Sequence, residues 1–119
     1  MARRSDWPDN LTPAAVHILL ALADADRHGL GIVDEVERRT DGDVKLGPGT
    51  LYGTIKRMRA ARLVGEASES RDEVGDDPRR RYYRITDTGR TALARETRRM
   101  ERFVTAARQK AAHGVAEES

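Results

Sequence analysis

Residues 47–64 read GPGTLYGTIKRMRAARLV and combine a helical apolar repeat with a cationic remainder that contains no acid. Pro48 suits the first turn of a helix, and three apolar side chains then recur at i, i+4 and i+7, a spacing that predicts one buried stripe. The stripe consists of Leu51, Ile55 and Met58. The opposite face carries Thr50, Tyr52, Gly53, Lys56 and Arg57. Because a helix that faces only solvent usually mixes charges of both signs, we expect this face to meet something negative.

Basic residues are concentrated in two segments of the chain. Residues 44–65 hold five basic residues and residues 78–86 hold four, and neither segment contains an acid. Since the whole chain of 119 residues has a net charge of only +2, the remainder carries −7. Such segregation creates a directional field that favours a polyanionic partner.

The composition predicts a small cytosolic protein. Hydrophobic residues make up 38% and aromatic residues 4% of the chain, so the core should be small and aliphatic, and association with a second copy would enlarge it. No cysteine is present, which excludes disulfides, thiol catalysis and cysteine-based zinc sites. The N-terminal MARRSDWPDN lacks the apolar run of a signal peptide, and the longest apolar stretch is too short to cross a bilayer. We therefore expect a cytosolic location and no membrane contact.

Catalytic and metal-binding patterns are missing from the sequence. His17, His28 and His113 have no ligand spacing, and no nucleophile–base pair or carboxylate pair stands out. We expect no metal, no cofactor and no enzymatic activity.

Two helices are predicted before residue 47. Thr12 suits an N-cap and Pro13 a first helical position, so one helix should run to about Asp24, surrounded almost completely by apolar side chains. A second helix should cover roughly residues 30–40, and the glycine-containing segment after it has room for a very short strand at 44–46.

Two strands are predicted after residue 61. They are RLVGEASE (62–69) and RRRYYRIT (79–86), joined by a polar loop that is typical of a hairpin. Alternation places Tyr83 with Ile85 on the core side, whereas Tyr82 shares its face with Arg80 and Arg84.

The last predicted helix, residues 87–113, has a heptad-like seam. Its members are Leu93, Thr97, Met100, Val104, Ala107 and Ala111, and Phe103 broadens it. A helix lying on its own domain could show the same spacing. Since the small core has few faces left to cover, we prefer a homodimer interface formed by Leu93, Thr97, Met100, Phe103, Val104 and Ala107.

The order of these elements predicts a mainly α fold with a small β-hairpin, the winged helix-turn-helix. The expected division is a flexible tail (1–10), a DNA-binding domain (11–86), a dimerisation helix (87–113) and a second tail (114–119). The third helix should enter the major groove of double-stranded DNA, and ribbon arginines should neutralise phosphates. The predicted DNA-binding residues are Pro48, Thr50, Tyr52, Gly53, Lys56, Arg57, Arg79, Arg80, Arg81 and Arg84.

Three of these assignments have alternatives. Tyr52 could contact DNA or cover the edge of the core. Gly53, which costs about 1 kcal/mol in a helix, could admit either DNA or a neighbouring helix. Ribbon arginines, Arg79 above all, could pair with acids of the hairpin loop instead of phosphates.

Four motifs resemble the PadR family of bacterial transcriptional regulators: HGLGI at 28–32, GPGTLYGTIKRM at 47–58, the following RLV, and RRRYYRITDTGR at 79–90. The resemblance spans about residues 11–90 and implies a homodimer on a pseudo-palindromic operator, usually repressing a promoter. It also implies release by a small, often aromatic or hydrophobic effector. Leu30 stands where an aromatic residue is common in the family. The loop acids have the wrong sign for a wing tip in a minor groove; they are Asp72, Glu73, Asp76 and Asp77. They support an alternative function, a winged-helix adaptor that binds an acidic protein.

Overall fold

The computed structural model of the chain describes residues 11–67 and 81–114, which form four helices and three short strands. In chain order these are α1 (Pro13–Ala23), β1 (Arg27–His28), α2 (Gly29–Arg39), α3 (Pro48–Ala60), β2 (Val64–Glu66), β3 (Tyr82–Ile85) and α4 (Asp87–Gly114). The predicted fold class is confirmed. Several predicted features lie outside the described residues: the N-terminal segment 1–10, the hairpin loop with its four acids, Arg79, Arg80 and the C-terminal residues 115–119.

Helices α1, α2 and α3 enclose an aliphatic core. The Thr12 hydroxyl accepts the Ala15 N–H at 3.2 Å, which confirms the predicted N-cap of α1. The main buried side chains of the three helices are Ile18, Leu19, Leu22, Ile32, Val36, Leu51, Ile55 and Met58. Leu20 departs from the expectation that α1 is covered on nearly every side, because 41% of it is exposed.

The three strands form one antiparallel sheet in the order β1-β3-β2. The predicted hairpin pairs Val64 with Ile85 and Glu66 with Tyr83, and Tyr83 and Ile85 face the core as expected. Strand β1, which pairs His28 with Tyr82, was not predicted. The strand considered at 44–46 is wrong: that segment has no strand partner in the described chain, and the Val44 N–H instead donates to the Thr40 hydroxyl at 3.1 Å.

The end of α3 is tied to the start of α4. Arg62 adopts a left-handed conformation (φ 65°), and the Leu63 N–H donates back to the Met58 carbonyl at 2.9 Å, as in a Schellman cap. The Thr86 hydroxyl donates to the carbonyls of Arg62 and Leu63 at 2.7 and 3.0 Å, and it accepts the Gly89 N–H at 2.9 Å. Residue 89 must be glycine here, because a β-carbon would overlap the Leu63 carbonyl oxygen.

Helix α4 leaves the domain after its first turns. Ala92 and Leu93 pack on the core next to α1. Glu96 is buried and pairs with Arg99 at 2.7 Å. Residues 101–113 are exposed throughout, so about half of a helix about 42 Å long projects from the protomer. Among the described residues, no helix is both long and apolar enough to cross a membrane.

Candidate nucleic-acid interface

The buried stripe of α3 fixes which side of the helix faces outward. Leu51, Ile55 and Met58 are each at most 2% exposed, which confirms the predicted stripe. Thr50, Gly53, Lys56 and Arg57 are exposed, as the helical periodicity requires, whereas Pro48 is exposed because it begins the helix. The structure therefore brings Thr50, Gly53, Lys56 and Arg57 onto one outward surface, and that surface contains no acid.

Gly53 lies on the outward surface with open space in front of it. A β-carbon built at this position meets no described atom within 4 Å. The alternative that Gly53 admits a neighbouring helix of the same protomer is therefore wrong for the described chain. Glycine costs about 1 kcal/mol relative to alanine inside a helix, and no part of the chain that the structure describes requires it at this position.

Tyr52 lies on the flank of α3 that faces α2 and the sheet. Its ring packs over Gly29, where a β-carbon would lie 2.9 Å from Cζ and would overlap the hydroxyl. The residue is nevertheless 42% exposed. Tyr52 therefore covers the edge of the core and keeps part of its surface open, so its contact with DNA stays a prediction.

Cations differ in whether the protein already pairs them. Arg27 and Arg39 lie 3.8 and 3.2 Å from Glu35, and Arg39 also lies 3.3 Å from Nδ1 of His17. By contrast, Lys56 forms no ion pair with any described residue, so its charge remains available to an external anion. Glu35 is partly buried and pairs with three arginines, Arg27, Arg38 and Arg39.

The ribbon places two of its four predicted arginines within the described chain. Arg84 is exposed on β3, with its guanidinium over Gly65. Arg81 pairs with Glu66 of β2 at 2.9 Å, so its acidic partner among the described residues lies on the neighbouring strand. About half of the Arg81 side chain is exposed, and such surface pairs contribute only about 0–1 kcal/mol. Arg81 can therefore exchange this carboxylate for a phosphate.

His28 has a structural role that the sequence analysis missed. Its Nδ1 accepts the Gly31 N–H at 3.1 Å and so caps α2, while its ring contacts Tyr82 edge-on at a centroid distance of 5.2 Å. In the sequence, this capping role is indicated only by the position of the histidine directly before a G-x-G helix start. The described residues contain no group of three or more potential metal ligands.

The predicted dimer seam divides into two parts. Leu93 is partly buried against its own core, and the Thr97 hydroxyl donates to the Leu93 carbonyl at 2.8 Å. Farther along, Met100, Phe103 and Val104 are 45%, 73% and 43% exposed, and Ala107 is exposed as well. Leu93 thus packs on the core of its own domain, and the exposed part of the seam begins near Met100.

Comparison with known proteins agrees with this architecture. Residues 18–95 match the Transcriptional regulator PadR-like family. The chain is 40% identical over 86 residues to the transcriptional regulator Rv3488 of Mycobacterium tuberculosis, covering 72% of this chain and 74% of that protein. A PadR family transcription regulator from Clostridium difficile has a similar fold, with a TM-score of 0.69, 22% identity, and coverage of 82% of this chain and 97% of its own. A PadR-like transcriptional regulator from Bacillus cereus also has a similar fold, with a TM-score of 0.66, 21% identity, and coverage of 80% of this chain and 87% of its own. The chain therefore belongs to the PadR-like family of transcriptional regulators.

Proposed function

We propose that this chain is a sequence-specific, non-enzymatic DNA-binding regulator that acts in the cytosol, with α3 as its recognition helix. The observation that carries the proposal is the outward surface of α3, which is exposed, acid-free and rich in short or cationic side chains. An α-helix fits the major groove, where side chains of this size reach base edges. Membership in a family of transcriptional regulators supports the same assignment.

Phosphate contacts should supply much of the affinity. Gly53 marks the outward crest of α3, and Lys56 and Arg57 flank it. Arg81 and Arg84 extend the positive charge onto the sheet. Each phosphate that is neutralised releases counterions, so log affinity should fall by about 0.9 per contact for each unit of log salt. Arg79 and Arg80 are assigned to this group from the sequence alone.

The active species in this proposal is a homodimer held by α4. Met100, Phe103 and Val104 present apolar surface on a helix that projects from the protomer, and a second copy could cover it. Two recognition helices would then meet half-sites about one helical turn apart, which explains why a pseudo-palindromic operator is expected. Release by a small hydrophobic or aromatic effector, and repression of a promoter, are supported by the family resemblance.

Gel shifts with DNA from upstream of the protein's own gene test the α3 assignment. Lys56→Ala with Arg57→Ala should abolish binding at moderate salt while leaving the circular dichroism spectrum unchanged. The matched control is Arg95→Ala with Arg98→Ala, which removes the same charge from exposed positions on α4. Equal binding by both double variants would reject α3 as the recognition helix, and binding of the wild type to an acidic protein but to no DNA would favour the adaptor.

A further inference from the structure

A cleft of about 360 Å³ lies between α3 and β3, beside the outward surface of α3. It is lined by Tyr52, Ile55, Lys56, Arg59, Ala60 and Tyr83. Arg59 and Tyr83 were not among the DNA-binding residues predicted from the sequence. The cleft joins the flank of the proposed recognition helix to the middle strand of the sheet.

The polar groups of this cleft have no described partners. Lys56 and Arg59 are exposed and form no ion pair with any described residue, and the hydroxyls of Tyr52 and Tyr83 form no hydrogen bond within the same part of the chain. Ile55 and Ala60 contribute the apolar part of the cleft lining. The cleft therefore combines two cations with two tyrosine side chains.

Tyr83 is held in its neutral, donating form. Burial raises the pKa of its hydroxyl above the ordinary value, and the positive charges of Arg81 and Arg59 offset this only in part. The phenol therefore stays protonated at neutral pH and can donate to an anion. The negative charge of Glu66 also raises the pKa of the Tyr83 hydroxyl, and this carboxylate is already paired with Arg81.

The position of the cleft selects the kind of anion. On α3, Tyr52 and Arg59 lie seven residues apart on one flank, between the buried stripe and the outward crest around Gly53. When a helix enters the major groove, its crest meets base edges and its flanks meet the phosphate backbones. A flank that carries cations and hydroxyl donors is suited to a tetrahedral oxyanion.

We propose that this cleft binds one phosphate group of the DNA backbone, with Arg59 as the main cation and the Tyr83 hydroxyl as a donor. The proposal rests on the proposed function and adds a contact that carries no sequence information. Arg59 thus positions the recognition helix in the groove, while the crest of α3 reads the bases.

Salt-dependent binding to the upstream DNA tests the Arg59 contact. Arg59→Ala should weaken binding roughly tenfold or more at low salt and reduce the slope of log affinity against log salt by about 0.9 per cleft, hence about 1.8 for a dimer. Arg59→Lys should restore most of the slope, because lysine keeps the point charge. Arg95→Ala is the charge-matched control and should change neither quantity. Tyr83→Phe keeps the buried ring and should weaken binding with little change in slope.

Neutral methylphosphonate substitutions along the operator identify the phosphate involved. One position in each half-site should weaken wild-type binding and have no further effect on Arg59→Ala. Replacing chloride by inorganic phosphate at equal ionic strength should leave DNA affinity nearly unchanged; strong competition would mean that the cleft takes free phosphate and would overturn the backbone assignment. If the wild type binds DNA and Arg59→Ala behaves like Arg95→Ala, the cleft proposal is wrong. If the wild type binds no upstream DNA, the proposed function itself fails.

Discussion

Replacing Gly53 by alanine should stabilise the protein and weaken its binding to DNA. A β-carbon at this position meets no described atom within 4 Å, so the substitution introduces no clash in the free protein. Removing a helix-interior glycine should then add about 0.8–1.0 kcal/mol to the free energy of unfolding. For a chain of this size that gain raises Tm by about 4 °C.

The opposite effect is expected in the complex with DNA. Gly53 occupies the crest of α3, where the helix should come closest to the groove, and an extra methyl in a packed interface costs about 1–3 kcal/mol. Affinity for the operator should therefore fall roughly 5- to 150-fold.

Thermal unfolding and fluorescence anisotropy with labelled operator measure the two effects separately. Ala94→Gly on the exposed side of α4 is the converse control: it should lower Tm by a similar amount and leave operator affinity intact. A lowered Tm for Gly53→Ala would show that another part of the protein approaches this glycine. A raised Tm with unchanged affinity would refute the close approach of DNA.

Three further variants probe the rest of the structure. Phe103→Glu with Val104→Glu should convert the proposed homodimer to monomers in sedimentation without loss of helicity, because both residues are exposed in the protomer; a persistent dimer would place the interface elsewhere. Gly89→Ala should lower the free energy of unfolding by roughly 2–4 kcal/mol, because its β-carbon would overlap the Leu63 carbonyl, and a wild-type Tm would contradict this packing. Burial, and secondarily the charge of Arg39, lowers the pKa of His17 in the folded protein. The free energy of unfolding should therefore decline as the pH falls below about 6.5, where the unfolded chain binds the proton more readily. In a pH series of thermal melts, His17→Gln should flatten that decline.

Features set by neighbouring residues could be predicted from the sequence. The cap at Thr12 needs only a hydroxyl three residues before a free N–H, and the stripe of α3 follows from helical periodicity alone. The same periodicity brought Thr50, Gly53, Lys56 and Arg57 onto one surface. These predictions depended on no knowledge of where other elements lie.

Features that depend on distant contacts could not be predicted. Strand β1 has two residues, too few for any alternation, and it exists because β3 offers it an edge. Glu96 is charged, so no sequence pattern suggests burial, yet it lies 6% exposed beside Arg99. The packing of Tyr52 over Gly29 joins α3 to the start of α2 across 23 residues of sequence, and only the tertiary fold reveals it.

The Leu63 carbonyl links the proposed recognition helix to the projecting helix. It follows the cap of α3 directly, accepts the N–H and the hydroxyl of Thr86 at 3.1 and 3.0 Å, and contacts Gly89 in the first turn of α4. A rotation of α4 relative to its domain would therefore have to break these hydrogen bonds or carry the end of α3 with it. Because a net hydrogen bond contributes about 0.5–1.5 kcal/mol, movement of the two helices together is the less costly response. The angle between paired α4 helices should thus set the spacing of the two α3 helices in a dimer, which makes half-site spacing a property of the α4 seam as much as of the DNA-binding surface.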